Sequence, residues 1–257
     1  MAETDPSQRD MEHNVILRFS RAFEARFPTS APNELIPGWA NTSLGAQDNI
    51  FADHLLAANA RFALIEFKAN FLAIRTEAKK PLRQKLFHLL AMRSDFLRRC
   101  LDFHFVCWGT THRHQPPGFA TPIVEEIDLL NRYAVHVAPF MDTALEVCDS
   151  ADINTQAFLD NFLGSRLMGG TYERFKCYVD ELGRLAGQGK GDASTIEGMV
   201  CVYLPGDCRT PARYAHSRFQ GLDALQLMLM PRIRDKAYEH KRTQGIAREP
   251  RDGPTLG

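Results

Sequence analysis

The stretch RFALIEFKAN, residues 61–70, decides the fold, because it has the composition of a buried β-strand and yet contains two charges. Strand side chains alternate between the two faces of a sheet, so every second side chain from Phe62 to Lys68 shares one face. That face changes from apolar to charged at Glu66. Two explanations are open: the strand ends in water, where the pair forms a weak surface salt bridge, or the charges take part in chemistry.

The preceding residues, NIFADHLLAANA at 49–60, indicate a second strand that is joined to the first by a tight turn. If Asn59 and Ala60 are the turn residues, the strands pair antiparallel and Asp53 lies opposite Glu66. Asn tolerates the positive φ of such turns, whereas Ala is less suited to it. A slip of one residue would move Asp53 to the other face, where it would be an ordinary exposed strand residue.

Two carboxylates that face each other on a sheet repel, and a divalent cation between them removes that cost. Asp53 and Glu66 offer the oxygen ligands that hard cations such as Mg²⁺ prefer. Lys68 lies on the same face, about 6–7 Å further along the strand, within reach of a metal-bound water or a phosphate oxygen. Such a site would polarise a phosphoryl group and lower the pKa of the attacking water. The pattern predicts metal-assisted hydrolysis of a phosphodiester.

An Asp on one strand, Glu-x-Lys on the next, and then a helix and a further strand resemble the PD-(D/E)XK nuclease superfamily. The resemblance covers residues 8–110, and it implies an α/β fold with a restriction-endonuclease-like core, a mixed central sheet flanked by helices. It implies that Asp53, Glu66 and the backbone carbonyl of Phe67 bind Mg²⁺ or Mn²⁺. By the same resemblance, Lys68 positions or activates the water.

The helices of this family often add further groups to the site. The first helix, predicted to begin after Ser7 and to end at Pro28, carries Glu12, which the resemblance makes a further metal ligand. The alternative for Glu12 is a first-turn acid favoured by the helix dipole. The second helix, predicted over residues 81–99, offers Gln84 as a further catalytic residue, with Lys80 in reserve.

A local positive patch lies between Arg75 and Arg99, where eight basic residues stand against two acidic ones. By itself such a run is a solvated helix face. Beside a nuclease site it predicts contacts with phosphates. The candidate nucleic-acid-binding residues are Lys79, Lys80, Arg83 and Lys85.

The rest of the chain predicts a mostly helical extension over residues 111–240, which adds a strand to the core near 197–207, and a disordered tail over 241–257. Helices are expected in the segments IVEEIDLL at 123–130, NTQAFLDNFL at 154–163, TYERFKCYVDELGRLA at 171–186 and GLDALQLMLMPRIRDKAYEH at 221–240. The connector at 28–47 is long for a loop, so it holds a short strand or wraps over a site. His112 and His114 are expected to be surface residues of a turn-rich loop.

The composition is that of a soluble globular protein, with 257 residues, 44% hydrophobic, 24% charged and zero formal net charge. Zero net charge excludes a molecule that binds polyanions over its whole surface. The six cysteines form no CxxC pair, which favours reduced, buried thiols. With no signal peptide and no membrane-length apolar run, we expect a cytoplasmic protein without a membrane partner.

These observations predict a Mg²⁺- or Mn²⁺-dependent nuclease that acts on DNA, less favourably on RNA. Because many enzymes of this fold are dimers, the resemblance also allows a homodimer. One alternative is an inactive module of the same fold that binds nucleic acid or a protein partner. Another is a helical interaction protein in which the strand pair is incidental.

Overall fold

The structure is a computed structural model that describes residues 6–30, 38–148, 151–164, 167–187, 191–204, 211 and 213–229. Its strands are β1 (Gly38–Ser43), β2 (His54–Ala58), β3 (Arg61–Lys68), β4 (His104–His114), β5 (Ile123–Arg132), β6 (Ile153–Asn154), β7 (Glu197–Leu204) and β8 (Arg213–Gln220). Its α-helices are α1 (Pro6–Ser30), α2 (Pro81–Met92), α3 (Ser94–Phe103), α4 (Tyr133–Val137), α5 (Thr155–Leu159), α6 (Tyr172–Ala186) and α7 (Leu222–Leu229). A 3-10 helix spans Phe71–Lys79, and a π-helical turn spans Asp160–Gly164.

The eight strands form one mixed sheet in the order β6-β5-β4-β3-β2-β1-β7-β8. Neighbouring strands are antiparallel except β3 and β4, which are parallel. A parallel pair needs a crossover connection, and the segment 71–103, with α2 and α3, provides it. The chain is therefore α/β, with a mixed sheet flanked by helices, as the sequence predicts.

The hairpin of β2 and β3 has the predicted register. Leu55 pairs with Leu64 and Ala57 with Phe62. The turn residues Asn59 and Ala60 have φ values of 51° and 59°, the left-handed pair that a type I′ turn requires. Asp53 immediately precedes β2, and this register brings it beside the charged end of β3.

The Ala60→Gly substitution is expected to stabilise the protein by about 0.5–1 kcal/mol, because it removes the strain of a Cβ at positive φ, partly offset by the greater freedom of the unfolded chain. The free energy of unfolding in urea measures this gain. The matched control is Ala91→Gly at an exposed position of α2, which should lose about 0.5–1 kcal/mol. A loss of stability in Ala60→Gly would contradict the turn assignment.

Alternate side chains of β3 enter two separate cores. Phe62 and Leu64 belong to the core that also contains residues of α2, α3 and α6. Ile65 and Phe67 pack on the opposite face in the core that contains α1 residues such as Phe19. Each fully buried large apolar side chain contributes about 1.5–3 kcal/mol, so burial on both faces explains why β3 lies at the centre of the fold. Glu66 and Lys68 continue the first of these faces.

The extension over 111–240 contains more strand than the sequence predicts, because β5, β6, β7 and β8 all lie in it where one added strand was expected. The segment at 123–130 is a strand, and β5 pairs with β4 over ten residue pairs. The spacing of the apolar residues in this segment is compatible with a helix and with a strand. The segment forms a strand because it pairs with β4, a contact that is not local in sequence. The predicted strand near 197–207 is confirmed as β7, whereas β8 was not predicted.

Several helix predictions hold with changed ends. The helix predicted over 81–99 is two helices, separated at Arg93, whose φ of −129° and ψ of 98° are extended. The predicted first helix and the helix at 171–186 correspond to α1 and α6. The connector at 28–47 contains β1. The predicted tail at 241–257 and the end of the last predicted helix lie outside the described residues.

The expectation of buried, reduced cysteines holds for some of the cysteines and fails for others. Cys100 and Cys107 are free and buried, but Cys148 and Cys177 are free and exposed. In the described parts of the chain, none of the helices combines the length and the apolar character that crossing a membrane requires.

Candidate active site

Glu66 and Lys68 are buried, with exposed fractions of 0% and 6%. Lys68 Nζ lies 2.7 Å from Glu66 Oε1 and 3.0 Å from Glu77 Oε1. The explanation of a strand end in water with a surface salt bridge is therefore wrong. Burying charged groups is expensive unless they are paired, so these side chains require the partners that surround them.

Two further cations complete what we call the buried ion cluster, defined as Glu66, Lys68, Glu77, Lys80 and Arg83. Lys80 Nζ lies 2.9 Å from Glu66 Oε1 and 2.7 Å from Glu77 Oε1. Arg83 lies 3.6 Å from Glu66 Oε2 and 3.4 Å from Glu77 Oε2. Burial alone would raise the pKa of Glu66, but the three neighbouring cations hold it well below its usual range.

The segment after β3 explains how Glu77 reaches the cluster. Asn70 caps the 3-10 helix, its side chain accepting a hydrogen bond from Ala73 N at 3.1 Å. This helix turns the chain back over the end of the sheet, and Pro81 then starts α2 at the position where its missing N–H is tolerated. The hydroxyl of Tyr133 donates to Glu77 Oε2 at 2.7 Å and fixes this carboxylate from the opposite side.

Asp53 lies against the same end of β3. Its carboxylate accepts a hydrogen bond from Phe67 N at 2.6 Å. Burial, and then the repulsion of Glu66, raise the pKa of Asp53 to about 8. The metal-binding role predicted for the Phe67 carbonyl stays a prediction, and its ring packs in the α1 core.

Glu12 of α1 lies near enough to the buried ion cluster for the charges of the cluster to act on its carboxyl. Burial raises its pKa, and the charges of Lys68 and Glu66 also act on it. Because α1 begins at Pro6 and its first turn holds no acid, the first-turn alternative for Glu12 is wrong. The structure thus brings Asp53, Glu66 and Lys68 to one end of β3, and it places Glu12 of α1 within range of their charges.

The charges of this site favour an additional cation. Four carboxyl groups, those of Glu12, Asp53, Glu66 and Glu77, stand against the three cations of the cluster, so ionising all four would leave one excess negative charge, which the raised pKa of Asp53 opposes. Among the residues that the structure describes, Glu66 Oε2 is buried without a hydrogen-bond partner. A divalent cation held by Asp53 and Glu66 would remove their repulsion and satisfy the buried oxygen. These are the oxygen ligands that Mg²⁺ and Mn²⁺ prefer, and the binding of either ion by Asp53 and Glu66 stays a prediction.

Two of the predicted α2 residues have other roles. Gln84 donates to the backbone carbonyl of Ala78 at 2.8 Å, whereas Lys80, the reserve candidate, contacts Glu66; a catalytic role for either stays a prediction. Arg83 is fully buried. It donates to the backbone carbonyls of Asp48, Ile50 and Phe51. Arg83 is therefore a structural partner of the carboxylates, and the prediction that it contacts nucleic acid is wrong.

The rest of the positive patch contains arginines in ion pairs and exposed lysines. Arg93 and Arg99 form ion pairs with Asp95 and Glu181. Lys79 and Lys85 are exposed. Their contacts with nucleic acid stay a prediction, and Lys80, with a third of its side chain exposed, lies between the patch and the cluster.

A groove of about 320 Å³ adjoins the carboxyl end of β3. Ala69 and Asn70, which follow Lys68 in the chain, form part of its wall. Phe71 and Leu72 are exposed there, and Gly109 of β4 forms the opposite side. The groove lies beside the end of β3, and none of its lining residues belongs to the buried ion cluster.

Sequence reasoning missed Glu77 and Tyr133. Glu77 has a signal, because Glu77-Ala78-Lys79 repeats the Glu-x-Lys pattern, but it lies outside any strand-like run. Tyr133 follows β5, a segment predicted to be helical, so nothing in the local pattern connects it with Glu77.

In comparisons with known proteins, no family model, curated protein or solved structure matches the chain. The resemblance to PD-(D/E)XK nucleases therefore stays a prediction from the sequence.

The Asp53→Asn substitution is expected to raise the thermal midpoint in EDTA at pH 8 by a few degrees. With a folded pKa of about 8 against an ordinary 3.8, the neutral carboxyl stabilises the fold fully below about pH 4, and this stabilisation is lost as the pH rises to 8. The wild type should therefore lose more stability between pH 4 and 8 than the variant. Calorimetry measures both, and exposed Asp142→Asn should match the wild type.

Proposed function

We propose that the chain is a Mg²⁺- or Mn²⁺-dependent nuclease that hydrolyses phosphodiester bonds of DNA, and less favourably of RNA, in the cytoplasm. The observation that carries the proposal is the meeting of Asp53 with Glu66 and Lys68 at one end of the sheet, where burial and the Glu66 charge raise the pKa of Asp53 to about 8. Such a strongly perturbed group of titratable side chains is typical of functional sites.

The order of elements supports a restriction-endonuclease-like core. Helix α1 precedes the antiparallel strands β1, β2 and β3, and a helical crossover leads to β4 parallel to β3. Asp53 immediately precedes β2, and Glu66-x-Lys68 lies at the end of β3, the central positions that the resemblance implies. The segment at 28–47 supplies the strand that precedes the Asp-bearing one.

When bound, the divalent cation supplies polarisation of the phosphoryl group and a lower pKa for the attacking water. Although burial opposes it, Glu66 and Glu77 hold the pKa of Lys68 well above its usual range. Lys68 is therefore a fixed positive charge that offsets charge developing on the phosphate, and it is unsuited to be a base. Glu12, half-buried and with a raised pKa, is the better candidate to accept the proton of the water.

Exposed lysines near the buried ion cluster favour the binding of a polyanion such as DNA. The groove begins where β3 ends, and Lys79 and Lys85 provide exposed charges on the segment that leads from the cluster into α2. Phosphate contacts of this kind carry affinity without sequence information. A homodimer stays a prediction of the resemblance.

A second candidate function is an inactive module of the same fold that binds nucleic acid or a protein. The observation that favours it is that Glu66 is already neutralised by protein cations. Lys68 and Lys80 share Glu66 Oε1, and the Glu66 side chain is fully buried. A module of this kind needs no metal. The third reading, an interaction protein with an incidental strand pair, is wrong because the pair lies within an eight-stranded sheet.

The test of the proposed function is cleavage of supercoiled plasmid, single-stranded DNA and single-stranded RNA by the wild type in Mg²⁺, Mn²⁺ or EDTA. We expect cleavage of DNA that requires metal and that is lost in Glu66→Gln, which keeps the shape of the side chain and removes its charge. Binding of DNA that is equal in Mg²⁺ and EDTA, without cleavage of any substrate, would instead identify the inactive module.

A further inference from the structure

A second group of metal-ligating side chains lies on the hairpin of β4 and β5. His112 and His114 lie on one face of β4, and the strand register places Glu125 of β5 opposite His112. The sequence predicted these histidines for a loop, but they belong to the last residues of β4. The two imidazole rings are stacked with centroids 5.3 Å apart.

We propose that His112, His114 and Glu125 form a site for a divalent transition-metal ion such as Zn²⁺. One potential ligand atom from each residue lies within 4.8 Å of the other two. In a tetrahedral site with metal–ligand bonds of about 2.0–2.1 Å, ligand atoms are about 3.4 Å apart. Because all three side chains are exposed or half-exposed, small rotations can close this difference.

The surroundings of His114 also favour a cation between the two strands. Its Nδ1 atom is sheltered from water and has no hydrogen-bond partner among the described residues. The Glu125 carboxylate faces this nitrogen at 3.8 Å, too far for a hydrogen bond. A metal ion between them would satisfy both groups and fix the ring orientation.

The donor set separates this site from the one at Asp53. Two imidazole nitrogens and one carboxylate suit Zn²⁺ and neighbouring transition metals, whereas Mg²⁺ prefers oxygen ligands throughout. Three protein ligands leave a coordination position open to water or to a further ligand. The inference is therefore independent of the proposed nuclease activity.

The position of the site suggests what the ion does. Trp108 pairs with Lys68 across β4 and β3, and His112 follows Trp108 by four residues, or about 13 Å along the strand. The hairpin thus extends past the candidate active site on the same face of the sheet. Because its ligands come from both strands, the ion would cross-link β4 and β5 and hold the hairpin rigid beside the groove.

The test is titration of the full chain with Zn²⁺ by calorimetry, with Co²⁺ absorption as a second readout of coordination. We expect one site per chain in the wild type and in Asp53→Asn. His112→Ala and His114→Ala should each weaken binding by about 100-fold or more, since even outer-shell changes cost about 10–100-fold. Glu125→Gln should weaken it less, and exposed His88→Ala on α2 should leave it unchanged. Zn²⁺ should also slow hydrogen exchange in β4 and β5.

Any of three results would overturn the inference, the third being the loss of Zn²⁺ binding in Asp53→Asn described below. One is Zn²⁺ binding by the folded double variant of His112 and His114 within threefold of the wild type. Another is no stoichiometric binding by the wild type. Circular dichroism establishes that each variant is folded, and loss of Zn²⁺ binding in Asp53→Asn would assign the ion to the other site. Nuclease activity enters none of these readouts, so the failure of one proposal is distinguishable from the failure of the other.

Discussion

Lys68→Met is expected to lower the rate of DNA cleavage by about 10²–10³-fold, the loss that follows removal of one preorganised charge-stabilising group. The Lys68 ammonium lies within 3.0 Å of the carboxylates of Glu66 and Glu77. These two carboxylates hold the pKa of Lys68 well above its usual range and fix the position of its charge. Met has a similar length and no charge, so the variant removes the electrostatic contribution with little change of volume. Initial rates on single-stranded DNA in Mg²⁺ measure the effect.

The control for this prediction is Lys79→Met, which removes an exposed charge eleven positions further along the chain. It should leave the cleavage rate at low salt nearly unchanged and reduce the salt dependence of DNA binding by about one phosphate contact. Lys68→Arg keeps the positive charge but changes its location, so its cleavage rate shows whether the exact position of the charge also matters. Equal cleavage rates for wild type and folded Lys68→Met would remove Lys68 from the mechanism.

Arg83→Met is expected to destabilise the protein by about 3–5 kcal/mol, the usual result of removing one partner of a buried ion pair. Arg83 is fully buried, neighbours both Glu66 and Glu77, and also donates to three backbone carbonyls of the segment before β2. Its loss leaves two buried carboxylates with fewer cations and three carbonyls without a donor. Urea unfolding followed by circular dichroism measures the change in the free energy of unfolding.

The comparison variant is Arg98→Met, at an exposed position of α3, which should change stability by less than about 0.5 kcal/mol. A double variant, Arg83→Met with Glu77→Gln, should recover part of the loss, because it also removes a buried carboxylate charge. If Arg83→Met loses less than about 1 kcal/mol, water or another cation reaches these carboxylates, and the cluster is more open than its burial indicates.

The hairpin and the neighbourhood of Asp53, Glu66 and Lys68 were predictable because they depend on local rules. Period-two alternation places Glu66 and Lys68 on one face, and the turn residues Asn59 and Ala60 set the register that brings Asp53 beside them. The same rules give no information on burial. Whether the charged end of β3 meets water depends on the 3-10 helix that covers it, and that segment has no periodic pattern.

The failures of prediction are non-local in the same way. The segment at 123–130 has apolar spacing compatible with a helix, and only its pairing with β4 makes it a strand. Arg83 lies in a basic run that reads as a solvated helix face, although the crossover from β3 to β4 turns it into the core. Glu77 and Tyr133 meet across 56 residues of sequence. Long-range contacts of this kind are decided by tertiary packing, which local propensity does not contain.

The most direct test of the metal site is Mn²⁺ binding by electron paramagnetic resonance, in a His112→Ala/His114→Ala background that removes the hairpin ligands. We expect one Mn²⁺ per chain, displaced by Mg²⁺ and lost when Asp53→Asn is added, because Asp53 and Glu66 hold the ion. No stoichiometric binding, or binding unaffected by Asp53→Asn in a folded protein, would contradict the account. Either result would leave the buried ion cluster as a structural element of the fold without a role in hydrolysis.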